Sequence, residues 1–108
     1  MSVTPLRGHV FRVSMSNIGL KPFVVVSNNQ RNRALDSVLA ARITSTDKSH
    51  IPTAVQLTPD DPLVGYVLAD DILELWKDEL EEGEYLGALA PRTLLSLNTA
   101  LAQALGIP

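Results

Sequence analysis

Between Gly8 and Leu89 the chain consists of short apolar runs of strand length broken by turn residues, and only its last stretch carries helical spacing. That order constrains the fold more than any other feature. Strands this short bury their apolar sides by pairing in one sheet that bends on itself, with the single helix laid against it. Residues 8–14 alternate polar and apolar, with Phe11 and Val13 on one side, and read as the first strand. A turn-rich loop over residues 15–20 leads to Lys21-Pro22, where proline disfavours helix, and then to the β-branched run Val24-Val25-Val26. Residues 28–33 read as a polar connection and residues 37–44 as a more buried strand. After a loop to Pro52, residues 53–58 and 64–69 alternate again around the turn Pro59-Asp60-Asp61-Pro62. Residues 70–76 fit both periods and are read as strand, residues 77–83 as a short helical turn and loop, and residues 85–89 as a last strand. Pro91 opens a helix, Leu94, Leu97, Leu101 and Leu105 form its apolar face, and Gly106 stops it. The expectation is a mainly β (α+β) protein, a small, strongly bent barrel with a C-terminal α-helix.

A chain of 108 residues holds one hydrophobic core, so residues 1–108 are expected to form a single domain. With no cysteine and two histidines, disulfides and thiolate sites are excluded; neither a metal site nor a cofactor is expected. No apolar run reaches the length of a signal peptide or membrane span, which makes cytoplasm the default and gives no reason for a membrane partner. The net charge of −3 conceals a segregation. Residues 1–50 carry seven cations against two carboxylates, whereas residues 51–108 carry two against ten, or +5 against −8. Gathered on one face, the basic residues would attract a polyanion; scattered, they would only be solvated.

No phosphate-binding glycine loop, nucleophile elbow or metal-binding helix motif occurs. What remains is polar chemistry at strand ends: Lys21, Thr44-Ser45-Thr46 and Asp70-Asp71. Taken alone, such hydroxyls are most often turn residues bonded to local backbone, and such aspartates most often solvated charges.

Six segments in order resemble the MazF/PemK toxin family. They are Arg7-Gly8 before an alternating strand, Lys21-Pro22 before the valine-rich strand, Ile43-Thr44-Ser45-Thr46, Ile51-Pro52-Thr53, Gly65 through Leu68-Ala69-Asp70-Asp71, and Tyr85-Leu86-Gly87 with the terminal helix. The resemblance implies a barrel of the Src-homology-3-like, CcdB–PemK-like kind, paired as a homodimer. It implies an endoribonuclease toxin that cuts single-stranded RNA without metal, using the RNA's own 2′-hydroxyl and leaving a 2′,3′-cyclic phosphate and a 5′-hydroxyl. It also implies a MazE-like antitoxin whose disordered tail covers the RNA groove.

Carried over by position, Thr44 matches the family threonine and Lys21 stands at the family's catalytic arginine, so these two are the expected catalytic residues. The exchange is not neutral, because an ammonium lacks the planar fork of a guanidinium and has no acceptor for a proton. A histidine scheme with His9 and His50 as base and acid is the alternative for proton transfer, His50 being better placed. Asn17, Ser45, Thr46, Ile51 and Asp71 fall at positions resembling RNA-contacting sites, Asp71 replacing a common glutamine. The loop over residues 15–20 is shorter than in many family members. Two other functions share the fold: a CcdB-like toxin that binds DNA gyrase, and a non-catalytic module that only pairs with an antitoxin.

Overall fold

The computed structural model describes residues 4–16 and 18–108. Six strands form one antiparallel, curled half-barrel sheet in the order β4-β5-β3-β2-β1-β6. They are β1 (His9–Met15), β2 (Gly19–Val25), β3 (Ser37–Thr44), β4 (Ala54–Gln56), β5 (Tyr66–Trp76) and β6 (Glu84–Ala88). Three helices complete the element order: α1 (Asn29–Ala34), α2 (Lys77–Glu82) and α3 (Pro91–Leu105). Among the described residues no helix is long and apolar enough to cross a membrane.

Strict alternation in the central strands gives the sheet two apolar faces. Val10, Val24, Ala41, Ile43 and Val67 point one way and are buried beneath Leu97 and Leu101 of α3. Their neighbours Phe11, Val13, Phe23, Val25 and Ala40 point the other way, into a second cluster closed by Leu80 of α2. Each buried valine, leucine, isoleucine or phenylalanine contributes about 1.5–3 kcal/mol by leaving water, and the middle of the sheet is buried on both faces. α3 places Leu97 and Leu101 inward as the spacing predicts, but Leu105 is 62% exposed. The helix ends at Gly106, whose φ of +69° suits glycine and whose N–H bonds back to the last turn.

Three segments differ from the sequence reading. Residues 28–33 are not a loop: Asn28 caps α1 by accepting the Arg31 N–H at 2.9 Å, and Asn32 is fully buried. The Asn32 amide donates to the Ser27 carbonyl at 3.0 Å, and the Ser27 hydroxyl accepts the Leu39 N–H at 3.0 Å. This buried network outweighs the weak helix propensity of so many amides. β2 begins at Gly19, so Lys21 and Pro22 lie within it rather than before it. Finally, residues 66–76 form one strand with an irregularity, and Asp70 and Asp71 sit inside it instead of at its end. Arg42 pairs with Leu68 and Ala41 with Ile72, leaving residues 69–71 without a partner on β3.

A candidate RNA-cleaving cleft where two strands part

β2 and β3 are paired only over the rungs Phe23–Arg42, Val24–Ala41 and Val25–Ala40. Proline explains why the ladder stops. The Val26 N–H donates to the Leu39 carbonyl across this pair at 2.9 Å, so the nitrogens of residues 24 and 22 point toward β3 as well. Residue 22 is Pro22, which has no N–H to offer. The strands part there, and a cleft of about 370 Å³ opens between them.

The register fixes what lines it. Two residues beyond the last rung, Phe23–Arg42, alternation along each strand puts Lys21 and Thr44 on the same face of the sheet. Arg42, two residues before Thr44, shares that face, and all three line the cleft with Arg12 and Ser45. Leu63 and Val64 form an apolar wall, Val64 being 89% exposed. Among the described residues the lining contains three cations and neither a carboxylate nor an imidazole. Arg12 is held by Glu84 at 3.1 Å, while Lys21 and Arg42 make no ion pair among the described residues.

Thr44 is positioned from both sides. The Thr46 backbone N–H donates to Thr44 Oγ1 at 3.2 Å, which occupies an acceptor and leaves the hydroxyl proton free to point outward. Behind it, Gly65 packs directly on the Thr44 carbonyl in a backbone conformation, φ +142°, that suits glycine; a Cβ there would collide with that carbonyl. Opposite Thr44 on β5 stands Tyr66. Its hydroxyl is pushed above the usual tyrosine range, first by loss of hydration and then by the neighbouring Asp47 carboxylate. Asp47 is itself held below the usual carboxylate range, chiefly by the Ser49 backbone N–H at 2.9 Å.

Of the residues expected from the sequence, Lys21, Thr44 and Ser45 meet in the cleft, and Thr46 holds Thr44 from the adjoining loop. Ile51 is half-buried in that loop, where its N–H bonds the Lys48 carbonyl, and Asp71 is exposed in the irregular part of β5; neither lines the cleft. Asn17 lies outside the described residues. Neither histidine borders the cleft. His9 accepts the Leu6 N–H on Nδ1 and stacks near Tyr85, and burial lowers its pKa. Arg12 and Arg42 are cleft residues left unassigned by the sequence reading. The available signal was Arg42 between buried Ala41 and Ile43, an alternation that sends it to the face of Thr44. A wider hollow, about 410 Å³, is bordered by Asp36, Asp78 and Glu81 beside Trp76 and Lys77. Its carboxylates repel a polyanion, so the larger hollow is the poorer candidate for an anionic ligand.

The sequence model of the PemK-like, MazF-like toxins of type II toxin-antitoxin systems matches residues 6–105. Endoribonuclease MazF1 of Mycobacterium bovis and endoribonuclease MazF4 of Mycobacterium tuberculosis are each 53% identical over 104 residues, which span 96% of this chain and 95% of the relative. A mycobacterial endoribonuclease solved in complex with its cognate antitoxin superposes with a TM-score of 0.89 at 53% identity, covering 96% of this chain and 97% of that one. A chain of a MazE–MazF crystal structure from Deinococcus radiodurans superposes with a TM-score of 0.83 at 25% identity, covering 98% of this chain and 99% of that one. The chain therefore belongs to the PemK-like, MazF-like toxin family of type II toxin-antitoxin systems.

Proposed function

We propose that this endoribonuclease toxin cuts single-stranded RNA in the cleft between β2 and β3 without a metal ion. The observation that carries the reading is that Lys21 shares one cleft with a Thr44 hydroxyl that already accepts a hydrogen bond from Thr46. The RNA 2′-oxygen attacks the adjacent phosphorus, the P–O5′ bond breaks, and the products are a 2′,3′-cyclic phosphate and a 5′-hydroxyl. The 2′-hydroxyl loses a proton as the 5′-oxygen gains one, so no water is consumed. Negative charge grows on the phosphoryl oxygens between these events. Thr44 donates its hydroxyl proton to one of them and the Lys21 ammonium neutralises the rest, each worth most in the transition state. The nucleophile comes from the RNA and the charge is met by side chains, and the lining offers no ligand set for a metal. Ser45 and Thr46, both exposed beside Thr44, would contact the flanking nucleotide, whereas Ile51 and Asp71 would act farther along the strand.

The same reading takes residues 1–108 as one toxin domain acting in the cytoplasm as a homodimer. Its partner is a MazE-like antitoxin whose acidic segment occupies the cationic cleft and excludes RNA. Purified protein incubated with a varied single-stranded RNA pool in excess chelator tests the chemistry. Discrete cuts with cyclic-phosphate and 5′-hydroxyl ends, lost in Thr44→Ala, are expected. An intact pool would overturn the cleavage reading and favour a toxin acting by binding a protein.

A further inference from the structure

We infer that Arg42 contacts RNA as well, its guanidinium gripping both non-bridging oxygens of the scissile phosphate; this rests on the ribonuclease reading above. Arg42 stands two residues before Thr44, about 7 Å along the same face of β3, and on the last rung before β2 departs. Its cross-strand neighbours are Phe23 on β2 and Leu68 on β5, and the next residue inward on its face is Ala40. Nothing there can neutralise it. Arg42 is nevertheless half-buried, and it makes neither a hydrogen bond nor an ion pair among the described residues.

The other arginines of the sheet region are all engaged. Arg7 donates to the Val26 carbonyl at 2.9 Å, Arg12 pairs with Glu84 at 3.1 Å, and Arg31 donates to the Ser37 carbonyl at 3.0 Å. Arg33 and Arg92 are exposed on helices and do not border the cleft. A guanidinium placed between apolar neighbours and left unpaired at the mouth of a cleft is a site prepared for an anion. The chemistry adds to the geometry. Lys21 is a point charge and Thr44 a single donor, whereas a phosphate in transfer presents two charged oxygens at fixed spacing, which the two parallel N–H groups of a guanidinium match. Arg42 moves no proton; it holds charge.

Single-turnover cleavage of one mapped RNA by wild type, Arg42→Ala, Arg42→Gln and Arg42→Lys tests this, alongside binding of the same RNA blocked by 2′-O-methylation at the cleaved nucleotide. The rate should fall about 10²- to 10³-fold in the Ala and Gln variants, with affinity for the blocked RNA falling less than about tenfold. Lysine should recover at most about tenfold, and free guanidinium ion should restore part of the rate to Arg42→Ala. Arg42→Gln, close in size, should keep the wild-type unfolding transition. Rates within about threefold of wild type in both neutral variants would overturn the assignment, as would a loss of affinity equal to the loss of rate. A wild type that leaves the RNA intact would overturn the ribonuclease reading and the role of Arg42 with it, an outcome distinct from an active wild type with unaffected variants.

Discussion

Asp61 and Thr44 are both polar residues beside a sheet end, and they differ in how much of their hydrogen-bonding capacity the protein consumes. The Asp61 carboxylate accepts from the Thr58 N–H at 2.7 Å, the Thr58 hydroxyl at 2.9 Å, the Ala90 N–H at 2.8 Å and the Thr93 hydroxyl at 2.7 Å. Three donors meet Oδ2 and one meets Oδ1, and two of the four belong to the start of α3, so a loop aspartate caps that helix in place of Ala90, which has no side-chain oxygen. Thr44 receives one hydrogen bond, from Thr46, and keeps its own proton unspent at a cleft wall. A saturated polar group holds structure together, while an unsaturated one whose position is fixed is free to do chemistry on something else.

This contrast predicts opposite failures. Thr44→Ala should lower the cleavage rate by about 10²- to 10³-fold, or about 3–4 kcal/mol in the barrier, while the thermal midpoint stays near wild type. Asp61→Ala should do the reverse, losing about 2–3 kcal/mol of stability in denaturant titration with the rate per folded molecule preserved. If Asp61→Ala abolished cleavage in a folded protein, the division between the two residues would collapse. Gly65→Ala sharpens it, because a Cβ there presses on the Thr44 carbonyl. About 1–3 kcal/mol of strain should appear in the unfolding curve together with a drop in rate, joining both phenotypes in one variant. The gentlest probe is acid. Burial works to raise the Asp61 pKa, but the donors from Thr58, Ala90 and Thr93 outweigh it and the net shift is downward. The unfolded chain therefore takes up this proton first as pH falls. The contribution of Asp61 is complete above the ordinary carboxylate range, about pH 4, and is lost as pH drops through the lower native value. Equilibrium unfolding between neutral pH and strong acid should show that loss in wild type, and a flatter profile in Asp61→Asn.

Local pattern was enough where burial follows a period. β3 spans the residues that alternation indicates, and α3 starts at Pro91 and stops before Gly106 as their chemistry requires. It was insufficient where partners lie far along the chain. α1 exists because Asn32 reaches Ser27 and, through it, the Leu39 N–H, and no window of residues 28–33 contains that information. Lys21 and Thr44 were legible as chemistry, but their juxtaposition depends on which way the Pro22 nitrogen points, and that is known only when β2 lies beside β3. Arg42 was visible as an arginine inside a strand; its lack of a partner among the described residues is a property of the assembled sheet. Asp61 looked like turn composition because its helix partners are 29 and 32 residues away.

The pairing of β1 with β6 bears on when such a toxin becomes whole. His9 meets Ala88 and Arg12 meets Glu84, so the first strand of the chain waits for the last before that edge is closed. Contacts this distant in sequence form late and slowly, and a nascent chain threading from the ribosome makes them only after almost all the intervening residues have emerged. Helix α3, clasped by Asp61, follows β6 in the chain. Chains that stop before residue 84 lack both the outermost strand β6 and the covering helix α3, and with them the cover over two sides of the sheet.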